Sequence, residues 1–383
     1  MNLGTHAAKD AAFIWKSLPA QHLKKGYYIG YTGHGNLGDE ALKEAIFELF
    51  KPEVVFAQSR GQAVRLLEKA GLLHWDLLIL GGGTLIFRTE GVLKQITGTP
   101  ARQRIVFGTG AANPAFWKDI PDRYGDMADW VSALDACAYL GVRGPYSKQA
   151  LEHAGVLKEV KVLGDPALYF TRPIQNPKLR AKKLGVNVGT TRSPSQGDLM
   201  WGRDEHRFLA KFSEFLALMD QLGWQIEMVP VWDKDRETIE KVRTLSGLGT
   251  KMRIFEDYHS VQKTLDRLET FDVFAGEKLH SVILACCANT PSVMLEYQPK
   301  CRDFMASLEL EAWTLRTDTF EAAQAAAMVE KLYERLEPYR LRLHQKCLRI
   351  KENLIREARA IMAGLSSQRR SYSDESQRDY ARL

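Results

Sequence analysis

Cysteine is scarce: Cys137, Cys286, Cys287, Cys301 and Cys347 are the only five, and none stands at metal-ligand spacing to another. That argues against a zinc ribbon or a disulfide scaffold and predicts free thiols in a reducing compartment. Long apolar runs are missing as well. No stretch approaches the roughly 18 apolar residues of a membrane-spanning helix. His6, Lys9, Asp10 and Lys16 interrupt the opening segment, so a secretory signal is not expected. A large excess of one charge is also absent. The formal net charge is +6, and residues 335–359 alone hold eight basic residues against three acidic ones. The rest of the chain is close to neutral and does not read as a nucleic-acid binder. The expected location is cytoplasmic, with peripheral contact at the inner face of a membrane as the one open membrane relation.

What is present is a soluble α/β pattern. A chain of 383 residues exceeds one ordinary core, so two domains are expected. Short apolar runs at Tyr27–Tyr31, Val54–Ala57, Leu77–Leu80, Ile105–Gly108, Ala138–Val142 and Val160–Leu163 alternate with amphipathic stretches. A second series follows at Gly185–Gly189, Gln225–Val231, Met252–Phe255, Phe271–Ala275 and Ser292–Glu296. Continuous apolar strands separated by helices predict parallel β-α-β units. The expected fold class is α/β, two Rossmann-like lobes facing a cleft, with C-terminal helices. Residues 1–25 read as an N-terminal helical extension, 26–170 as the first lobe (acceptor side) and 171–184 as a linker. Residues 185–332 read as the second lobe (donor side), 333–365 as a basic helix and 366–383 as a disordered tail. In the basic helix, Leu336, Leu343, Cys347, Ile350, Leu354, Ala358 and Ile361 form an apolar stripe beside arginines. It suits packing across the lobes, or contact with an anionic membrane.

The chemistry is expected beyond the carboxyl ends of the strands. Gly33, Gly35 and Asn36 follow the first strand, and Asp39 and Glu40 open the helix behind it, offering unpaired N–H groups to an anion or a sugar. The spacing is not that of a dinucleotide fingerprint. Gly82 and Gly83 end the third strand on the same rim, and Gly108 and Gly110 the next. Arg143 ends a strand beside Gly144, placed to meet a carboxylate or phosphate, and Asp165 precedes the linker. In the second lobe, one apolar strand delivers Glu277, Lys278 and His280, and the following strand brings Lys300 to the same edge. Two lysines and a histidine around a helix N-terminus form a site for phosphate or carboxylate. A metal cluster is not expected, and no cofactor is required.

Taken in order, these segments resemble the polysaccharide pyruvyl transferases: G-x-G-N-x-G-D-E-A at Gly33–Ala41, L-G-G-G-T at Leu80–Thr84, V-R-G-x-x-S at Val142–Ser147, G-D-P-A at Gly164–Ala167, K-L-H-S at Lys278–Ser281 and E-Y-x-P-K at Glu296–Lys300. The resemblance spans roughly residues 26–310. It implies a GT-B-like pair of lobes and transfer of pyruvate from phosphoenolpyruvate onto two hydroxyls of a sugar, as a cyclic ketal, with release of phosphate. The acceptor is then a surface or exopolysaccharide, or its lipid-linked precursor. Arg143, Lys278 and His280 are implied to line the donor site, with Lys300 close by. One departure is that the family often has arginine where Lys278 stands. His280, with a reference pKa of about 6.5, suits protonation of the methylene carbon. Asp39, Glu40 and Asp165 are candidate bases, and Glu277 is placed to orient His280. Acceptor loops are expected at Asn113–Gly125 and Ser193–Arg203. Two other functions fit the same residues: a GT-B glycosyltransferase using a nucleotide sugar, and a non-catalytic carbohydrate-assembly protein.

Overall fold

A computed structural model describes residues 3–17, 22–87, 89–112, 127–174, 181–189 and 204–380. The two loops expected to shape the acceptor, 113–125 and 193–203, lie outside the described residues.

Two all-parallel sheets organise the chain. The first holds β1 (Lys24–Ile29), β2 (Val54–Ala57), β3 (Trp75–Gly81), β4 (Thr84–Ile86), β5 (Ala101–Ala111), β6 (Tyr139–Val142) and β7 (Lys161–Val162). Its order is β2-β1-β3-β5-β6-β7, with β4 paired to β5. The second holds β8 (Lys183–Asn187), β9 (Gln225–Met228), β10 (Arg253–Ile254), β11 (Val273–Gly276), β12 (Ser292–Glu296) and β13 (Thr314–Arg316), in the order β10-β9-β8-β11-β12-β13. Both are α/β sheets with helices on their faces, as the unbroken apolar strands predict. Leu77, Leu78, Ile79 and Leu80 are all buried, and so are Val273, Phe274 and Ala275.

Strand order reverses at one place in each sheet, between β1 and β3 in the first and between β8 and β11 in the second. At such a point adjacent loops lead away in opposite directions and leave a crevice at the carboxyl ends of the strands. α2 (Leu37–Phe50) follows β1 and α10 (Leu279–Cys287) follows β11, so their N-termini stand at the crevices, while α8 (Asp235–Leu245) follows β9 and α11 (Pro299–Ser307) follows β12, each one strand further out. The elements the sequence pattern does not reveal are the short β4, a helix at Glu90–Gly98, β13 and a helix at Ala322–Glu334.

Each lobe has its own core, and a third apolar cluster joins them. The joining cluster draws Leu42 and Ile46 from α2, Ile283 and Cys287 from α10, and Leu343, Cys347 and Leu354 from the last helix, Leu336–Tyr380. That helix crosses both lobes. Gly164 has no room for a side chain because a Cβ there would meet Ile350 Cγ2 at 2.3 Å. Lys351 Nζ donates to Thr171 O at 2.8 Å, and Lys161 pairs with Glu357 at 3.2 Å. The helix runs unbroken to Tyr380, past residue 366, where composition predicts disorder to begin.

Candidate functional site

The crevice of the first lobe is built by the glycine loop. Gly33 and Gly35 take φ values of +80° and +69°, which side chains disfavour, and so fold the chain back before α2. Asn36 caps α2 by accepting from Gly38 N at 3.0 Å. The helix thus starts two residues ahead of Asp39, and Asp39 and Glu40 lie in its first turn. Glu40 Oε1 accepts from Gly33 N at 2.6 Å, and its other oxygen pairs with Lys43. Burial alone would raise the Glu40 carboxyl, but the Lys43 ammonium and the Gly33 N–H outweigh it and hold it below the usual range. Glu40 fixes its own loop, which makes it a poor candidate base.

Gly82 and Gly83 also have positive φ, and Gly82 faces protein. A Cβ on Gly82 would meet Leu42 of α2 at 2.7 Å, and Thr109 Oγ1 donates to Gly82 O at 3.0 Å. Gly83 O accepts from Arg143 Nη1 at 3.2 Å, and Arg143 Nη2 donates to Thr84 Oγ1 at 3.0 Å. Arg143 is fully buried. It is a fixed charge behind the cleft wall, held by the Gly82–Thr84 loop. Its Nε lies 3.8 Å from Asp303 Oδ2, and Nη1 lies 3.9 Å from Asp165 Oδ2. Asp303 comes from α11 in the opposite lobe. Its Oδ1 accepts from Tyr146 N and Ser147 N at 2.9 and 3.0 Å, and Oδ2 accepts from Ser147 Oγ at 2.6 Å. The V-R-G-x-x-S segment is therefore an inter-lobe joint as much as a charge site. Gly144 leaves the space for it, since a Cβ there would meet Asp303 O at 2.2 Å.

His280 reaches across to the first lobe. A Cβ on Gly38, in the first turn of α2, would fall 2.2 Å from His280 Nδ1, so the imidazole packs directly against that glycine. The His280 side chain is 11% exposed, and Nε2 lies 3.9 Å from Asp165 Oδ2. Nε2, Asp165 Oδ2 and Arg143 Nε are all buried, and none has a hydrogen-bond partner. Such a cluster is costly unless a ligand or water completes it. Burial, then the Arg143 and Lys300 charges, push the His280 pKa down to about 3. Burial pushes Asp165 up to about 6 against the opposing pull of Arg143. Near neutrality the imidazole is therefore uncharged, and the carboxyl titrates close to working pH.

The crevice of the second lobe supplies the cations. Lys278 caps α10 without a side-chain bond, and its N–H donates to Asn187 Oδ1 at 2.9 Å. Its ammonium lies 3.5 Å from Asp235 Oδ1 and 5.5 Å from the Trp232 ring centroid. Lys300 Nζ lies 4.8 Å from the Tyr297 ring at the start of α11. Glu277 is fully buried, and its Oε2 accepts from Gly189 N at 3.1 Å, bracing the end of β8. The two lobes meet again here: Leu37 N donates to Val231 O, and Trp232 Nε1 to His34 O, each at 2.9 Å. Sequence reasoning finds Arg143, Asp165, Lys278, His280 and Lys300 but not Gly38, Asn187, Trp232, Asp235 or Asp303. Gly38 stands inside the first motif, Trp232 lies in the turn after β9, and Asp235 opens α8. Asp303 carries no local signal. Among the described residues no group of His, Cys, Asp and Glu could hold a metal ion, and no helix is long and apolar enough to cross a membrane.

Facing Rossmann-like lobes, with lysines and a histidine–carboxylate pair between them, define a GT-B-like fold. Solved structures agree on the fold alone. A protein assigned as a UDP-N-acetylglucosamine 2-epimerase from Listeria monocytogenes superposes with a TM-score of 0.54 and 12% identity, over 91% of this chain and 97% of that one. A UDP-glucosyltransferase from Polygonum tinctorium gives 0.50 and 10%, over 90% and 99%. Comparison with curated proteins returned no match. The sequence model of the polysaccharide pyruvyl transferase family matches residues 36–299, most of the chain. The chain belongs to that family of transferases.

Proposed function

We propose that the chain moves the pyruvyl group of phosphoenolpyruvate onto two hydroxyls of a sugar in a surface polysaccharide or its precursor, releasing phosphate. The observation that carries this reading is the unpartnered trio of His280 Nε2, Asp165 Oδ2 and Arg143 Nε, with Lys278 and Lys300 on the same edge. A donor bearing both phosphate and carboxylate needs several fixed cations: Lys278 and Lys300 stand at the edge of the cleft, and the buried Arg143 adds its charge from behind the wall. In the reaction a proton is added to the methylene carbon, and a sugar hydroxyl bonds to C2. Phosphate then leaves with the electron pair of its C–O bond, and the second hydroxyl closes the ketal. One hydroxyl proton replaces the proton given to carbon and the other leaves with phosphate, so the sum balances.

His280 is the proposed acid. In the free protein it is neutral, and the causes are burial and two neighbouring cations. An arriving polyanion removes the second cause by offsetting Arg143 and Lys300, so donor binding and protonation of His280 are linked. Asp165, with a pKa near 6, is the proposed base that takes the hydroxyl proton. The test is phosphate release from phosphoenolpyruvate over a panel of sugar acceptors, beside His280→Ala. Acceptor-dependent release that His280→Ala abolishes is expected. Release from no acceptor, together with heat protection by UDP or GDP and not by phosphoenolpyruvate, would replace this reading with nucleotide-sugar transfer.

A further inference from the structure

One buried charge at the second crevice has no part in the steps above. Asp235 opens α8 and is fully buried. Its Oδ2 accepts from Val231 N at 3.4 Å, while Oδ1 makes no hydrogen bond and lies 3.5 Å from Lys278 Nζ. Burying a carboxylate is unfavourable, and here burial raises its pKa to about 6 even though Lys278 opposes the shift. The backbone closes over the pair: a Cβ on Gly189 would meet Asp235 Oδ1 at 2.1 Å and Lys278 Cε at 2.6 Å. On another side stands the Trp232 ring, itself tied by its N–H to His34 O of the first lobe.

A lysine ammonium rides on a flexible four-carbon stem and loses entropy when a ligand fixes it. Walls on three sides remove that freedom in advance, which is how preorganisation favours binding. We propose that Asp235, with the Trp232 indole as the opposite wall, is the positioning residue for Lys278, holding its ammonium at the donor side of the cleft. This rests on the donor reading above. The sign of the effect separates ordering from simple charge. A carboxylate beside Lys278 weakens the local attraction for an anion, so if charge alone mattered, neutralising Asp235 would tighten donor binding. If ordering matters, removing the oxygen loosens it.

The experiment compares the full chain with Asp235→Ala, Asp235→Asn, Lys278→Met and the double variants, by phosphate release from phosphoenolpyruvate and by calorimetric titration with inorganic phosphate. Asp235→Ala is expected to raise KM about tenfold with kcat changed by no more than about threefold. Asp235→Asn, which keeps an acceptor oxygen, should recover most of the loss, and neither substitution should add to Lys278→Met. An unchanged or lower KM in Asp235→Ala, or a full additional loss on the Lys278→Met background, overturns the proposal. Should Asp235→Ala not fold, Asp235→Ser, which is too short to reach the Lys278 ammonium, decides by the same rise in KM and the same non-additivity. If the parent chain releases no phosphate from phosphoenolpyruvate, the donor reading fails by itself. Phosphate binding about tenfold weaker in Asp235→Ala would then still support the role of Asp235, and equal or tighter binding would overturn it.

Discussion

Removing the Asp303 carboxylate should destabilise the chain more than any single surface change, because one side chain joins the two lobes. Asp303 is 3% exposed and accepts from Tyr146 N, Ser147 N and Ser147 Oγ at 2.6–3.0 Å. Tyr146 and Ser147 open the helix Pro145–His153, whose N-cap Gly144 offers no side chain, so Asp303 does that capping from the opposite lobe. Hydrogen bonds to a charged group contribute about 1.5–3 kcal/mol each, and loss of a cap costs about 1 kcal/mol. Three such bonds share one anion and do not add in full. Asp303→Ala also strips the buried Arg143 of a carboxylate 3.8 Å away. Breaking a buried charged network of this kind costs about 3–5 kcal/mol, which is the expected loss. Urea unfolding followed by tryptophan fluorescence and by circular dichroism measures it. Asp303→Asn, which keeps one acceptor oxygen, should lose about half as much. Glu237→Ala, which breaks only an exposed pair with Lys241, should leave the midpoint unchanged. An Asp303→Ala chain within about 1 kcal/mol of the parent would refute the inter-lobe joint.

Other consequences are as direct. Gly38→Ala should cut turnover about a hundredfold by displacing the imidazole that lies against it, at an overpacking cost of about 1–3 kcal/mol; phosphate-release kinetics and urea unfolding check both, and parent-like turnover would refute the His280–Gly38 contact. His280 titrates near 6.5 when unfolded and at about 3 when folded, so the unfolded state binds more protons between those values. Its stabilising effect is therefore present above pH 6.5 and declines as pH falls. A His280→Asn chain should gain roughly 3 kcal/mol relative to the parent between pH 6.5 and 4, read from paired urea titrations; a constant difference across that range would contradict the buried neutral imidazole.

How much of this was legible in the sequence depends on the range of the interaction. The apolar strands and the glycines after them are local signals, so both lobes and the rim positions of Arg143, Lys278, His280 and Lys300 could be read directly. What those side chains do there could not. Arg143 was expected to line the donor site, but the carbonyl of Gly83 and the hydroxyl of Thr84 hold it behind the wall. Glu277 was placed to orient His280, yet its carboxylate braces Gly189. Gly82 and Gly83 were placed on the shared rim; Gly82 packs against α2, and the Gly83 carbonyl anchors Arg143. Asp303 and Asp235 act on residues distant in sequence, through a lobe contact and a sheet crevice that no local pattern encodes.

The charge pattern of the cleft also bears on why the proposed acid is a histidine. A carboxylic acid beside Arg143 and Lys300 would be drawn toward its ionised form and would hold no proton to give, unless burial outweighed the cations as it does at Asp165. A lysine would keep its proton too firmly to release it to carbon. Cations draw the proton from either group, but burial acts oppositely on the two: it holds a proton on a carboxyl and strips it from an imidazole, so in the free protein His280 is neutral. On the proposed reading, the donor's negative charge offsets those two cations and so favours the protonated imidazole, while burial, the larger cause, continues to oppose it. Lys278, set by Asp235 and Trp232, contributes to receiving that charge without depending on its own titration. On the same reading the acid and the anion site act together, and the proposed base, Asp165 Oδ2, lies 3.9 Å from His280 Nε2.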